Sequence, residues 1–170
     1  MLMIDIETLS TKPGPIIIQL GWAYADATKI AASGFVNVKP GSCHVLGGDM
    51  NLSTIEWWIT KGGAKAYKTT MKNRQAISVA LDELDSVFKT YHPTTVWGNA
   101  PTFDLSALRF YYTKLKRTPP WAYLDERCYR TERAEHGHRV QAPAKKGAHN
   151  GEADARWQLE HLLRIQKALA

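Results

Sequence analysis

The strongest constraint on the fold is a pair of acids inside an apolar run, MLMIDIET, which reads as a buried β-strand carrying Asp5 and Glu7. Side chains alternate between the two faces of a strand, so both carboxylates point to the same side. Burying two like charges is costly without compensation, and a divalent cation is the simplest compensation. Oxygen ligands without a softer donor favour Mg²⁺ or Mn²⁺. A solvated strand end is the alternative for so short a pattern.

The rest of the chain alternates β-branched runs with segments of helical period, in the order β-β-β-α-α-β-α-β-α. The predicted strands are residues 1–6, 15–26, 29–38, 94–99 and 121–126, and the predicted helices are 53–62, 74–91, 102–115 and 152–169. Ser53 and Glu56 form a capping-box pattern at the start of the first helix. His161 is predicted on a helix surface, and Cys128 as a buried small apolar residue. This order predicts one α/β domain, with a mixed five-stranded sheet and helices on both faces.

Composition favours a polyanionic partner. The chain has 170 residues, with 22 Lys and Arg against 16 Asp and Glu, and a net charge of +6. This balance favours nucleic acid, although a generally basic surface explains it too. Two cysteines without a CxxC pair, no signal peptide and no apolar run of about 20 residues predict a cytoplasmic protein without disulfides or membrane spans.

Three further residues are candidates for the chemistry of this site. Asp104 opens a helix directly after a strand, a position that helix capping explains equally well. His149 lies in a Gly-containing loop, and Asp154 follows it by five residues at the start of the last helix. Such a loop can bring an imidazole over a metal site, whereas the alternative for His149 is an exposed loop histidine.

The segments DIET, NAPTFD and HNGEAD resemble the three motifs of the DEDDh (DnaQ-like) 3'–5' exonucleases, in the same order along the chain. Two further segments, LSTIEWW and LDERCYRT, are similar to stretches of phage DexA-type exonucleases and of the RNase AS group of 3'-exoribonucleases. The resemblance implies a ribonuclease H-like fold and a single 3'–5' exonuclease domain over residues 1–170.

Carried over residue by residue, the resemblance assigns four metal-binding carboxylates and one general base. Asp5, Glu7, Asp104 and Asp154 would hold two Mg²⁺ or Mn²⁺ ions, with Asp5 bridging them, and His149 would take the proton from water. The chemistry is consistent, since two ions about 3.5–4 Å apart serve phosphodiester hydrolysis and four carboxylates balance their charge. An imidazole also titrates near neutral pH.

Substrate contacts are assigned more loosely. Leu9 and Ser10 follow the first motif, where related enzymes contact the terminal nucleotide, although Leu9 can equally cover the core. Trp57 and Trp58 point about 100° apart on a helix, so one belongs in the core and the other is either a stacking platform or plain packing. Lys145 and Lys146 either hold a phosphate or form a solvated basic loop.

These features predict a metal-dependent 3'–5' exonuclease acting on nucleic acid, with single-stranded DNA favoured by the phage-like segments and RNA as the alternative. An inert nucleic-acid-binding module of the same fold is a second hypothesis, against which the complete set of five motif residues counts. A metal-dependent nuclease or phosphatase of another mechanism is a third, which would not require His149. Likeness to related small exonucleases implies a homodimer, and a phage-encoded protein would act in the host cytoplasm.

Overall fold

The computed structural model describes residues 1–60, 63–145 and 149–170, and its centre is a mixed five-stranded sheet of order β3-β2-β1-β4-β5. The strands are β1 (Leu2–Thr8), β2 (Ile17–Ala25), β3 (Ile30–Asn37), β4 (Val96–Gly98) and β5 (Glu126–Cys128). Strand β1 is central, because it pairs antiparallel with β2 and parallel with β4. The predicted sheet is therefore confirmed.

Helices cover both faces of this sheet, as the sequence predicts. They are α1 (Pro40–His44), α2 (Leu52–Thr60), α3 (Ala64–Thr70), α4 (Ile77–Tyr91), α5 (Asp104–Lys114), α6 (Tyr129–His136) and α7 (Gly151–Leu169). Helix α7 packs across β1, β2 and β3. Buried apolar residues form two cores, and the larger one contains the apolar faces of α4 and α5. Among the described residues, no helix is both long and apolar enough to cross a membrane.

The alternation of side chains along β1 decides which face receives the acids. Leu2, Ile4 and Ile6 belong to the larger core, together with residues of α4 and α5. Met3 belongs to a smaller core, together with apolar residues of α7. Because Asp5 and Glu7 share the parity of Met3, they lie on the face covered by α7.

Three helices were not predicted, because none has the apolar period that reveals a long amphipathic helix. Helices α1 and α3 span five and seven residues. Half of the residues of α6 are charged, and only Tyr129 of this helix is buried. Short or polar helices like these depend on tertiary contacts for their stability.

The strand predicted at residues 121–126 is wrong in its position. Residues Tyr123–Asp125 form a 3₁₀ turn, and the strand begins only at Glu126. A carboxylate oxygen of Asp125 accepts a hydrogen bond from the backbone N of Ala122 at 3.0 Å. That side-chain bond stabilises the turn, which competes locally with an extended backbone.

Three smaller predictions are also corrected. Helix α2 begins at Leu52, one residue before Ser53, and Asn51 Oδ1 accepts the hydrogen bond from Ser53 N at 2.9 Å. His161 is only 3% exposed, because α7 lies beneath α6 and the Tyr129 hydroxyl hydrogen-bonds to the imidazole at 2.8 Å. Cys128 is half-buried rather than buried, and its sulfur caps α6 by accepting from the backbone N of Thr131.

Candidate active site

The first two acids lie on the central strand, beneath the amino-terminal half of α7. Glu7 is only 8% exposed. Asp5 Oδ1 accepts a hydrogen bond of 2.7 Å from Nε2 of Gln158, one turn along α7 from Asp154. The strand thus presents two carboxylates to a helix, and the helix holds one of them with an amide.

The start of α7 brings Asp154 and His149 to the same place. Asn150 caps the helix, its Oδ1 accepting from the backbone N of Ala153 at 2.9 Å. Asp154 Oδ2 accepts from the backbone N of His149 at 2.9 Å and from that of Asn150 at 3.3 Å. The carboxylate therefore holds the histidine loop, and this explains why the five-residue spacing works although it is not a helical one.

Asp104 reaches the site from the opposite direction, at the start of α5. Its Oδ1 accepts from the backbone N of Ile6 at 3.4 Å, and its Oδ2 accepts from that of Ala100 at 3.2 Å. A Cβ at Gly98, where β4 ends, would lie 3.2 Å from Asp104, so glycine permits the close approach of α5. Asp104 is thereby tied to β1 next to Asp5.

These residues line one cavity of about 280 Å³. Its walls include all five motif residues, together with others from the same loops and helices: Asp5, Ile6, Glu7, Asn99, Ala100, Phe103, Asp104, Arg130, Lys145, His149, Asp154 and Gln158. Asp5, Glu7 and Asp154 each offer an oxygen, and these oxygens lie within 4.8 Å of one another. Asp104 stands beside this cluster, with its oxygens on backbone N–H groups.

Burial raises the pKa of three carboxyl groups of the site, and neighbouring charges add to the shift for Asp5 and Glu7. Burial, with the charges of Asp104, Glu7 and Asp154, raises the pKa of Asp5 well above its usual range. Burial first, and then the charges of Asp154 and Asp104, raise the pKa of Glu7 to about 8. Burial raises the pKa of Asp104 to about 6, although backbone hydrogen bonds from Ala100 and Ile6 oppose the shift.

This donor set fits hard divalent cations. It consists of carboxylate oxygens within 4.8 Å of one another, close enough to share an ion, and burial raises the pKa of Asp5 and of Glu7. Mg²⁺ and Mn²⁺ prefer such oxygen ligands. A bound cation would supply the positive charge that the surrounding residues provide only in part.

Aromatic side chains hold the His149 imidazole. Its ring centroid lies 4.6 Å from that of Trp57 and 6.0 Å from that of Trp58, both edge to face. Trp58 is 2% exposed and donates through Nε1 to the backbone O of Thr8 at 2.8 Å, so it belongs to the core. His149 adopts φ 59°, a left-handed conformation uncommon outside glycine and typical of constrained functional loops.

Of the other predicted substrate contacts that the structure describes, one lines the cavity and two are buried. Lys145 Nζ lies 2.8 Å from Asp154 Oδ1 inside the cavity, whereas Lys146 lies outside the described residues. Leu9 is buried in the larger core. Ser10 is fully buried and its Oγ donates to Asp49 at 2.5 Å. The roles of these residues toward substrate stay predictions.

Three residues that shape the site were not predicted. Gln158 binds Asp5, and Gln19 Oε1 accepts from the backbone N of Gly151 at 2.7 Å. A Cβ at Gly21 would lie 2.0 Å from the backbone carbon of Gly151. The sequence signals were Gly21 and Gln19 inside the otherwise apolar strand β2. A glycine within a strand often marks a close approach of another backbone, and a glutamine there indicates a buried hydrogen bond.

The sheet, the paired carboxylates of its central strand and the histidine loop before α7 form the arrangement that the sequence resemblance to DEDDh exonucleases implies. Two solved structures share the fold. The nuclease domain of 3'hExo, a DEDDh family member solved bound to rAMP, has a TM-score of 0.68 and 11% identity, covering 98% of this chain and 90% of that one. Exonuclease X, solved with 5' overhanging duplex DNA, has a TM-score of 0.55 and 14% identity, with the same coverage.

The family assignment is more specific than the fold. Residues 1–166 match the model of the Rv2179c-like 3'-5' exoribonuclease domain, and the chain belongs to that family. No curated protein sequence matches. Membership confirms the predicted resemblance to 3'–5' exonucleases, assigns the protein to the metal-dependent enzymes of that kind, and counts against the hypothesis of an inert binding module.

Proposed function

We propose that residues 1–170 form a single domain that removes nucleotides from the 3' end of single-stranded RNA. The observation that carries the proposal is the cluster of oxygens from Asp5, Glu7 and Asp154, within 4.8 Å of one another in the cavity that His149 also lines. The family's description as an exoribonuclease supports RNA over the DNA that the phage-like segments favoured.

In this proposal, Asp5, Glu7, Asp104 and Asp154 would hold two Mg²⁺ or Mn²⁺ ions. Such ions supply Lewis-acid stabilisation of the charge that develops on the phosphate and lower the pKa of water. The amide of Gln158 orients Asp5 through its 2.7 Å hydrogen bond. A hydrogen bond of this kind fixes the orientation of a carboxylate that would bind a metal ion.

His149 takes the proton from the attacking water. Its backbone is bonded to Asp154, and its ring is packed against Trp57 and Trp58, so the imidazole has little freedom to turn away. A general base must be held within hydrogen-bonding reach of the proton that it removes. The two tryptophans therefore act as positioning residues for the base.

Two positively charged side chains of the cavity are positioned to bind the phosphate of the substrate. Lys145 Nζ lies 2.8 Å from Asp154 Oδ1, and Arg130 lines the same cavity beside Asp104. In the proposal the half-exposed Lys145 turns from Asp154 to a phosphate oxygen when substrate enters. The predicted homodimer gains no support from either solved relative and stays a prediction.

Digestion of labelled oligonucleotides tests this function. RNA and DNA of one sequence, each labelled at the 5' end, are incubated with Mg²⁺, Mn²⁺ or EDTA and resolved on a gel. We expect a descending ladder that EDTA abolishes and that forms faster on RNA. Asp104→Asn should abolish the ladder, whereas Asp26→Asn, in the exposed turn between β2 and β3, is the matched control and should retain it.

The outcomes separate the parts of the proposal. Cleavage of a closed circular strand, or release of the 5'-terminal nucleotide alone, would overturn the 3'–5' polarity. A faster ladder on DNA would overturn the RNA assignment and leave the exonuclease reading intact.

A further inference from the structure

A second groove adjoins the catalytic cavity on the side of β5. It has a volume of about 550 Å³, and its walls include Pro101 and Thr102 from the loop before α5. The catalytic cavity is lined by Asn99 and Ala100 of the same loop. Consecutive residues of one loop, 99–102, therefore line the two cavities in turn, and an RNA chain whose 3' end occupies the first can continue into the second.

The floor of this groove presents an exposed aromatic ring. Tyr123 is 75% exposed and Leu124 is 79% exposed, although both are large apolar side chains. The guanidinium of Arg109 lies 6.0 Å from the ring centroid of Tyr123 and is itself held by Glu126 at 2.5 Å. An exposed ring beside an anchored guanidinium is typical of platforms on which nucleobases stack.

Two arginines lie between the catalytic carboxylates and the ring of Tyr123. Arg130 lines the catalytic cavity, and Arg127, three residues earlier, lines the groove. Both are exposed, and the backbone N of Arg130 donates to the O of Asn99 at 3.0 Å, which ties this segment to the loop of residues 99–102. Within the described residues, neither arginine forms a salt bridge with a carboxylate.

We propose that this groove, here called the Tyr123 groove, binds the nucleotides immediately upstream of the scissile phosphate. Arg130 and Arg127 contact successive phosphates, and a base stacks on Tyr123. This inference rests on the proposed function, because it concerns the RNA chain whose 3' end lies at Asp5. It adds a path for the substrate and a reason for longer oligonucleotides to bind better than short ones.

Charge favours nucleic acid over a second copy of the chain as the occupant. In a two-fold interface the same patch meets itself, so Arg127 and Arg130 of each copy would approach like charges. The chain carries a net charge of +6, which opposes such pairing further. A polyanion, by contrast, meets both arginines with opposite charge.

Steady-state kinetics on RNA of two and eight nucleotides test the groove. Tyr123→Ala should raise KM for the octanucleotide relative to the dinucleotide by roughly tenfold, since stacking of one base is lost. Tyr123→Phe is the matched control and should keep the wild-type ratio, because it retains the ring. Arg127→Gln should reduce the salt dependence of octanucleotide binding by about one unit of log–log slope.

Three results would overturn the Tyr123 groove. One is an equal change of KM for both lengths in Tyr123→Ala. Another is an unchanged salt dependence of octanucleotide binding in Arg127→Gln. The third is conversion of a dimer to a monomer by Tyr123→Ala in light scattering, which would make the groove a subunit interface. Failure of the wild-type protein to shorten either RNA from its 3' end would instead overturn the proposed function.

Discussion

At the scale of single residues, two side chains divide the work of the site. Burial, and then the charges of three neighbouring acids, raise the pKa of Asp5, while the hydrogen bond from the amide of Gln158 lowers it. His149 is held through its backbone by Asp154 and through its ring by two tryptophans. The carboxylate is thus suited to bind a cation and the imidazole to move a proton.

His149→Ala should separate these two roles. Loss of the general base should lower the single-turnover rate by about 10²–10⁴-fold, while the four carboxylates still bind Mg²⁺. The residual rate should rise with pH, because hydroxide replaces the missing base. The measurements are single-turnover cleavage from pH 5.5 to 9 and calorimetric Mg²⁺ titration.

The control for this variant is another histidine. His44→Ala, on the exposed surface of α1, should behave as the wild type. A near wild-type rate and pH profile in His149→Ala would make His149 a bystander, while the carboxylate site would stand.

At the scale of elements, the site depends on how closely α7 approaches β2. The backbone N of Gly151 donates to Gln19, whose Nε2 in turn donates to Asn37 at 2.7 Å. Asn37 donates to the backbone O of Thr69 and of Lys72, at 3.1 and 2.8 Å. A buried chain of amides therefore links the first turn of α7 to the end of α3.

Gly21→Ala should disrupt this approach. The added Cβ would lie 2.0 Å from the backbone carbon of Gly151, and backbone atoms cannot rotate aside as a flexible side chain can. The first turn of α7, with Asp154 and the histidine loop, must shift. We expect at least a tenfold loss of kcat and a fall of about 1–3 kcal/mol in the free energy of unfolding.

Urea unfolding and turnover on labelled RNA measure both effects. Gly41→Ala is the matched control, because a Cβ there meets no heavy atom within 4 Å. It should leave kcat unchanged and alter stability by no more than about 1 kcal/mol. Wild-type kcat in Gly21→Ala would show that α7 can move without cost to the site.

At the scale of the whole molecule, the buried acids link stability to pH and to metal. A carboxyl whose pKa is higher in the folded than in the unfolded state binds its proton more tightly when folded. Stability is then highest below the unfolded pKa and falls as pH rises through the folded pKa. For Glu7 this window runs from 4.5 to about 8, and for Asp104 from 3.8 to about 6.

In EDTA, the melting temperature should therefore fall as pH rises from about 5 to about 8, and saturating Mg²⁺ should reverse the fall. Asp5→Asn removes one of the repelling charges, so it should flatten the profile in EDTA and raise the melting temperature of the metal-free protein at pH 8. The same variant should bind Mg²⁺ more weakly and lose activity. Scanning calorimetry at several pH values provides the measurement.

Glu83→Gln, on the exposed side of α4, controls for the loss of an acid elsewhere. Its profile should match that of the wild type. If Asp5→Asn also followed the wild-type profile in EDTA, repulsion within the cluster would not be what limits the stability of the metal-free protein.

Local patterns were sufficient to predict much of the fold. The period of residues 74–91 predicts α4, found at Ile77–Tyr91, and the apolar run 15–26 predicts β2, found at Ile17–Ala25. Both elements are long, and each buries one continuous apolar set. The short helices α1 and α3 bury too little to leave a pattern, and the turn at Tyr123–Asp125 depends on one side-chain hydrogen bond.

The sequence by itself determined that Asp5 and Glu7 share a face, because the two-residue repeat of a strand is a property of the backbone alone. It also determined that Asp154 opens a helix and that His149 precedes it in a loop. Only the tertiary structure decided that Gln158 holds Asp5 across 153 positions of sequence, that Gly21 admits Gly151, and that Tyr123 lies exposed next to the guanidinium of Arg109. These contacts join residues distant in sequence, and their distances follow from how α7 and the loop before α5 pack against the sheet, which no local period encodes.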